Sequence, residues 1–394
     1  MKLSQRIERM QPSATVELSA KIAELTRQGV EIIALNVGEP DFSTPDFVNQ
    51  AAIEAIREGF TKYTPVAGIY ELRKAISEKF EKDNQLKYSP DDIIVSTGAK
   101  QAIISAVLTL CEKGDEVIIP TPCWVSFVEM VKLADATPVP VNFGENNCFG
   151  INIEKVAQAI TPRTRVMIVN SPNNPTGVVY KKQPLERLAE LALKHNFYII
   201  SDEIYEKLVY DDSVHTSIAS LSPEIFERTV TVNGFSKSYA MTGWRIGYAA
   251  GPRKIIAGMR ALQGHMTTTT NSITQKAALA ALRGPQETVE AMRKEYNKRR
   301  LYLLERLQKI EMIKCTNVAG AFYLLPNISR LFGKKFGNRI LENSIDVANF
   351  FLDEARVALV PGDAFNAPNH IRISYSDSME NLKEAMDRLE RILM

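Results

Sequence analysis

Short apolar runs rich in Val and Ile recur through the middle of the chain, at 92–97, 116–121, 137–142, 165–170, 198–202, 229–233 and 245–250. They are apolar almost throughout rather than at alternate positions, so each reads as a strand buried on both faces. Between several of them the apolar positions recur with helical spacing, as at 100–111 and 185–195, and Gly114 is the expected C-terminal cap of the first. Strands alternating with helices predict a mostly parallel, seven-stranded sheet covered on both sides, an α/β architecture.

After about residue 285 the pattern changes. A long charged helix is expected over 285–310. Short apolar strands follow at 321–325, 358–360 and 371–375, with a helix near 345–355 and a closing helix from Met379. This describes a smaller α/β unit. The apolar run 32–41 ends in a Gly/Pro turn and is expected to be a strand of that unit. A chain of 394 residues exceeds what one core usually supports, so two domains are expected. The boundaries fall near 47 and 285: a large domain over 48–285, and a small one built from 14–47 and 286–394.

Composition adds exclusions. The 48 basic and 46 acidic residues leave a net charge of +2, which gives no bulk attraction to nucleic acid. Lys2, Arg6, Glu8 and Arg9 interrupt any apolar run over 1–11, so no secretory signal peptide is expected. No apolar run approaches the roughly 18 residues of a membrane span. Cys111, Cys123, Cys148 and Cys315 show no CxxC spacing and read as reduced thiols. A cytoplasmic protein without a membrane segment is the expectation.

Ligands of open α/β sheets bind beyond the carboxyl ends of the strands, so chemistry is sought there. Lys237 ends a β-branched run, beside Ser236 and shortly before Arg245. An amine near anion-binding groups suits a Schiff-base cofactor, and Lys237 reads as the carrier of pyridoxal phosphate. Gly98, Ala99 and Lys100 open a helix, where free N–H groups favour a phosphate; an ordinary strand–helix turn has the same look. Asp202 ends a buried strand and would pair with a protonated ring nitrogen, or cap a helix. Tyr205 follows within reach of a phenolic oxygen. Asn174 sits in the rigid turn Asn170-Ser171-Pro172-Asn173-Asn174-Pro175-Thr176-Gly177, which either positions a polar group or serves the fold alone. Trp124 would stack on a flat ring or fill the core. Arg372 alternates within an apolar strand, where its fork would clamp a carboxylate unless it faces solvent. Together these supply what an amino-acid-handling pyridoxal phosphate enzyme needs.

Ordered motifs carry a resemblance as well. They are Asn36-Val37-Gly38-Glu39-Pro40-Asp41-Phe42, Tyr63-Thr64-Pro65, Thr97-Gly98-Ala99-Lys100, the 170–177 turn, Ser201-Asp202-Glu203-Ile204-Tyr205, Ser236-Lys237, Gly243-Trp244-Arg245-Ile246-Gly247-Tyr248 and Arg372-Ile373-Ser374. Over its whole length the chain resembles the class I aminotransferases of the pyridoxal phosphate transferase fold type I. Within them it looks most like the bacterial and plastid-type aspartate enzymes, some of which use prephenate.

The resemblance implies a ping-pong exchange of an amino group between L-aspartate and 2-oxoglutarate, with Lys237 as covalent anchor and proton carrier. It implies that Asp202 pairs with the ring nitrogen while Tyr205 and Asn174 hold the ring oxygen. Gly98, Ala99, Lys100, Ser236 and Arg245 would surround the phosphate, and Trp124 would stack on the ring. Arg372 would clamp the substrate α-carboxylate beside Gly38 and Asn174. Lys100 would meet the side-chain carboxylate. Tyr63 would reach the phosphate of a second subunit in a homodimer, with residues 1–13 as an arm over the partner. Thr15 and Lys100 match a pair associated with prephenate use, but prephenate-using members resemble Lys where this chain has Gln11. A prephenate or aromatic aminotransferase and a C–S lyase would use the same site. A transcription regulator with this body would need a DNA-binding unit ahead of residue 36, and a Rossmann dehydrogenase would need a GxGxxG after a strand.

Overall fold

The structure, a computed structural model, describes residues 3–11 and 14–393. Its main sheet has seven strands, ordered in space Ile93–Ser96, Gly247–Ala250, Thr229–Gly234, Tyr198–Asp202, Thr164–Asn170, Glu116–Thr121 and Thr137–Asn142. Gly247–Ala250 runs antiparallel to both neighbours, and the remaining pairings are parallel. All seven expected strands form.

The near-continuous apolar runs are explained by the two-sided cover. Along Thr164–Asn170, Val166 and Ile168 face helices Gly98–Leu110, Ser126–Leu133 and Arg253–Met266. Met167 and Val169 face helices Ile153–Ala159 and Lys182–His195. Positions Val166 to Val169 therefore meet an apolar layer on either side, while Arg165 is exposed and the edge strand Thr137–Asn142, expected to be buried on both faces, is fully buried only at Val141. Helix Lys182–His195 ends at Asn196 in the left-handed region, a cap that asparagine tolerates.

Beyond the main sheet, Val360–Pro361, Ile371–Ser374 and Tyr323–Leu324 form a three-stranded antiparallel sheet. Helices Glu287–Gln308 and Met379–Leu393 bury Leu303, Leu307, Leu382 and Leu389 in the same core as Ile373.

Three local expectations are corrected. Over 32–41 only Ile33–Ala34 is strand, pairing with Val357–Ala358; Gly38 and Pro40 turn the rest away as loop. The first helix of the main sheet ends at Leu110 with an extended Cys111, and Gly114, at φ +103°, turns the chain toward the next strand instead. The helix near 345–355 is α-helical over Ser344–Phe350 and continues as a π-turn over Phe351–Ala355.

Candidate functional site

The parallel register sets Asn170 opposite Asp202, and Asp202 opposite Val232, at the carboxyl ends of the central strands. A cavity of about 420 Å³ opens beyond those strand ends. Asn170 organises it: its Nδ2 donates to the Asp202 carbonyl at 3.0 Å and its Oδ1 accepts the Asn174 N–H at 2.9 Å. The turn closes at Gly177, φ +74°, where a Cβ would lie 2.7 Å from the Tyr323 carbonyl. Only glycine lets this turn pack so closely on strand Tyr323–Leu324.

Asp202 is buried, and its Oδ1 accepts one long hydrogen bond, from the Ile204 N–H at 3.3 Å. Burial pushes its carboxyl up to about 7, and the charge of Glu203 adds to the rise. Tyr205 and Tyr323 share a hydrogen bond of 2.9 Å between their hydroxyls.

Lys237 follows the end of strand Thr229–Gly234 and donates to the Gly38 carbonyl at 2.5 Å. Burial pulls its amine down to about 8; Glu39 opposes this, and Arg372 and Arg245 reinforce it. Gly38 has no room for a side chain, since a Cβ would stand 2.2 Å from the Tyr323 hydroxyl. Thr242 donates its hydroxyl to Glu39, and Arg245 Nη1 donates to the Thr242 carbonyl at 2.8 Å.

The N-terminus of helix Gly98–Leu110 supplies the anion end. A Cβ on Gly98 would meet Arg245 Nη2 at 2.6 Å, and one on Gly247 would meet the Ala99 nitrogen at 2.4 Å. Two glycines therefore let a guanidinium and a helix N-terminus converge, an arrangement suited to phosphate. Lys100 Nζ lies 4.8 Å from the Trp124 ring centroid, and burial followed by the charge of Arg245 lowers its pKa.

Arg372 is 3% exposed, so it does not face solvent. Its Nη1 donates to Asn174 Oδ1 at 3.0 Å and its Nη2 to the Asn36 carbonyl at 2.6 Å. Nε has no partner, and among the described residues no carboxylate pairs with this guanidinium. It lies 4.5 Å from the Tyr323 ring centroid and 4.9 Å from that of Phe365. A buried guanidinium without an anion is costly, and a ligand carboxylate would relieve it.

The donor set fits pyridoxal phosphate. One cavity is lined by a buried carboxyl that would pair with a cationic N–H, an amine, a helix N-terminus with a guanidinium suited to phosphate, and a second guanidinium suited to a carboxylate.

The family described as aminotransferase class I and II matches residues 30–389. The chain belongs to this family. Its enzymes depend on pyridoxal phosphate and act on amino acids and 2-oxo acids. The chain is 47% identical over 393 residues to the aspartate aminotransferase of Geobacillus stearothermophilus, covering 100% of this chain and 99% of that one. It is 46% identical to a Petunia hybrida bifunctional aspartate aminotransferase and glutamate/aspartate-prephenate aminotransferase, covering 100% of this chain and 83% of the other. The structure of the Thermus thermophilus aspartate aminotransferase with maleate aligns over 100% of both chains, at 45% identity and a TM-score of 0.94. The fold of this aminotransferase is thus the fold-type I transferase architecture.

Of the residues marked in the sequence, Gly38, Ala99, Lys100, Trp124, Asn174 and Asp202 line the cavity, as do Tyr205, Ser236, Lys237, Arg245 and Arg372. Gly98 lies behind Arg245. Tyr63 stands apart from the cavity and is 88% exposed. Gln11 donates its N–H to Glu129 at 3.2 Å, and the side chain of Thr15 lies outside the described residues. Tyr323, Glu39 and Thr242 also line the cavity and were given no role from sequence. The close contact of Gly38 with Tyr323 links two distant segments and leaves no local signal.

Proposed function

We propose that this chain transfers the amino group of L-aspartate to 2-oxoglutarate, giving oxaloacetate and L-glutamate in a ping-pong cycle. The observation that carries the reading is the convergence, in one cavity, of the Lys237 amine, the buried Asp202 carboxylate and the unpaired Arg372 guanidinium. The aspartate aminotransferases among its relatives support the substrate. Bound here, pyridoxal phosphate would supply an electron sink and carry the amino group between donor and acceptor.

The chain's own groups divide the remaining work. Lys237 anchors the cofactor and, once released, removes and returns the Cα proton; an amine near 8 is well matched to that task. Asp202 holds the ring nitrogen, and the N–H it faces repays the burial of its charge. Tyr205 and Asn174 donate to the ring oxygen. Gly98, Ala99, Ser236 and Arg245 hold the phosphate, together with the backbone N–H of Lys100 at the helix N-terminus, and Trp124 covers the ring. Arg372, with Gly38, Asn174 and Trp124 alongside, fixes the α-carboxylate. Lys100 takes the side-chain carboxylate.

The same reading makes the protein a cytoplasmic homodimer in which the exposed Tyr63 reaches the partner's phosphate. Among the described residues no helix is long and apolar enough to cross a membrane. The division into a large domain over 48–285, a small domain of 14–47 with 286–394, and an arm over 1–13 belongs to this proposal. It is supported by the pairing of Ile33 with Val357 and by the core that Leu35 shares with helix Glu287–Gln308.

The experiment is an amino-donor panel with 2-oxoglutarate as acceptor, for the wild type and Lys100→Ala. Wild type should prefer aspartate to alanine. Lys100→Ala should lower kcat/KM for aspartate about 10- to 100-fold, the value of one charge-assisted hydrogen bond, and leave alanine little changed. Equal losses for both donors would remove Lys100 from substrate recognition.

Asp202 makes a second expectation, for stability without cofactor. Below about pH 4 the folded and unfolded chains both hold its proton, so there is no difference. As pH rises the unfolded chain ionises first and stability falls, until the folded carboxyl also ionises at about 7. The cofactor-free Asp202→Asn variant should therefore unfold at higher urea than wild type at about pH 8, and at the same urea at about pH 4. An equal shift at both pH values would contradict the burial account.

A further inference from the structure

Next to Asp202 in the chain, and outside the lining of the cavity, lies a buried cluster of charges that the proposed chemistry does not use. Glu203 is 1% exposed. Its Oε1 accepts from Ser201 Oγ at 2.8 Å and Ser217 Oγ at 2.7 Å, and its Oε2 lies 3.1 Å from His215 Nε2. His215 is nearly enclosed, and its other ring nitrogen has no partner. Glu206 pairs with Lys79 and accepts from Asn84 Nδ2 at 2.8 Å. Lys207 pairs with Asp83 at 2.8 Å.

Glu203, Glu206 and His215 bring ligand atoms within 4.8 Å of one another, a spacing that a metal ion would also use. The Lys79 ammonium already pairs with Glu206, and two serine hydroxyls already fill Glu203 Oε1. The cluster is therefore complete without an ion. Its carboxylates are Glu203, Glu206 and Asp83, and its lysines are Lys79 and Lys207. Three negative charges against two positive ones leave one anion over, and an imidazolium at His215 balances it. The charged groups around His215 are Glu203 and Glu206, from the end of strand Tyr198–Asp202 and the turn after it, and Lys79, from helix Tyr70–Asn84. Glu203 raises the pKa of His215 against the lowering effect of burial.

The cluster bears on Asp202 in two ways. The Glu203 N–H donates to the Val232 carbonyl at 2.9 Å while its side chain is held by three groups. The main chain just after Asp202 is thus pinned to the neighbouring strand. The Glu203 charge is also the first side-chain charge that opposes ionisation of Asp202.

We propose that the buried Glu203–His215 pair is a positioning and charge-balancing unit for Asp202, anchoring its strand end and cancelling the adjacent negative charge so that Asp202 stays ionised toward the ring nitrogen. The proposal rests on the reading of Asp202 given above. Glu203 and His215 touch neither cofactor nor substrate, so they act through Asp202 alone.

The test uses the holoenzyme, His215→Asn, and the double variant Glu203→Gln/His215→Asn. The readouts are the dissociation constant for pyridoxal phosphate and the acid limb of kcat/KM against pH. With Glu203 left uncompensated, His215→Asn should move the acid limb up by about one pH unit and weaken cofactor binding about tenfold near pH 7, with recovery near pH 9. Removing both charges should return the limb to the wild-type position. A loss that is the same at both pH values, or a double variant as defective as the single, would overturn the proposal, because a purely structural role predicts those results. A second measurement needs no variant. The chain has 4 histidines, so His215 can be followed by NMR in the wild-type holoenzyme. It should be charged near pH 7, and a neutral ring there also overturns the proposal. Asp202→Asn separates the two claims. If it binds cofactor and turns over like wild type, the reading of Asp202 falls and the pair's role with it. If it is defective while His215→Asn is silent, only the pair's role falls.

Discussion

Lys237→Ala should fold, bind pyridoxal phosphate without a covalent link, and turn over aspartate and 2-oxoglutarate at least about ten-thousand-fold more slowly than wild type. The size follows from the amine's two duties. It anchors the cofactor, and it is the enclosed base next to the position where the Cα proton leaves. Asp202 would be kept ionised by a protonated ring nitrogen, and burial holds the Tyr205 hydroxyl well above its usual pKa, so that it stays protonated. Neither can replace Lys237 as a base. The fold should survive, because the amine makes one side-chain hydrogen bond, to the Gly38 carbonyl, and removing it relieves a buried cation. Borohydride should therefore trap cofactor on the wild type and not on the variant. Wild-type turnover in Lys237→Ala would refute the mechanism.

Arg372→Met should separate activity from stability. The guanidinium is buried between two aromatic rings with Nε unpartnered, so the substrate α-carboxylate completes its bonding. Losing a desolvated, bidentate partner of that kind costs about 2–5 kcal/mol, a drop in kcat/KM of roughly 30- to 5,000-fold. The loss should fall on every donor alike, since all carry an α-carboxylate. Arg372→Lys should sit between, keeping the charge but not the fork. The cofactor-free Arg372→Met protein should be as stable as wild type or more so, because an apolar side chain of similar volume replaces an unpaired buried charge. A matched fall in urea midpoint and activity would mean that Arg372 serves the fold and not the substrate.

The sheet and the ends of its strands were legible in the sequence for one reason. A parallel sheet with helices on both faces leaves little room for polar side chains within its central strands, so polar residues gather at the strand ends where the cavity begins. Asn170, Asp202, Ser236 and Lys237 stand out there against apolar runs. Arg372 was legible for the opposite reason, as a cation inside an apolar strand. What was not legible depends on contacts between distant segments. Tyr323 lies in a two-residue strand and gains its place from Gly38, Tyr205 and the 170–177 turn. Glu39 reads as part of a turn until Thr242 is brought against it. The strand expected over 32–41 fails because its chain must leave the sheet to deliver Gly38 to Lys237, a tertiary demand with no periodic signature. His215 carries no sequence signal, because its buried partner Glu203 is brought to it only by the fold.

The most direct test of the central claim is a half-reaction. Holoenzyme is mixed with excess L-aspartate and no acceptor, and oxaloacetate, pyruvate and ammonia are counted per site. One equivalent of oxaloacetate per site and no ammonia are expected, with no further product; once the excess aspartate has been removed, added 2-oxoglutarate should yield one equivalent of glutamate. Continuous release of ammonia and an oxo acid without acceptor, or no oxaloacetate at all, would contradict it.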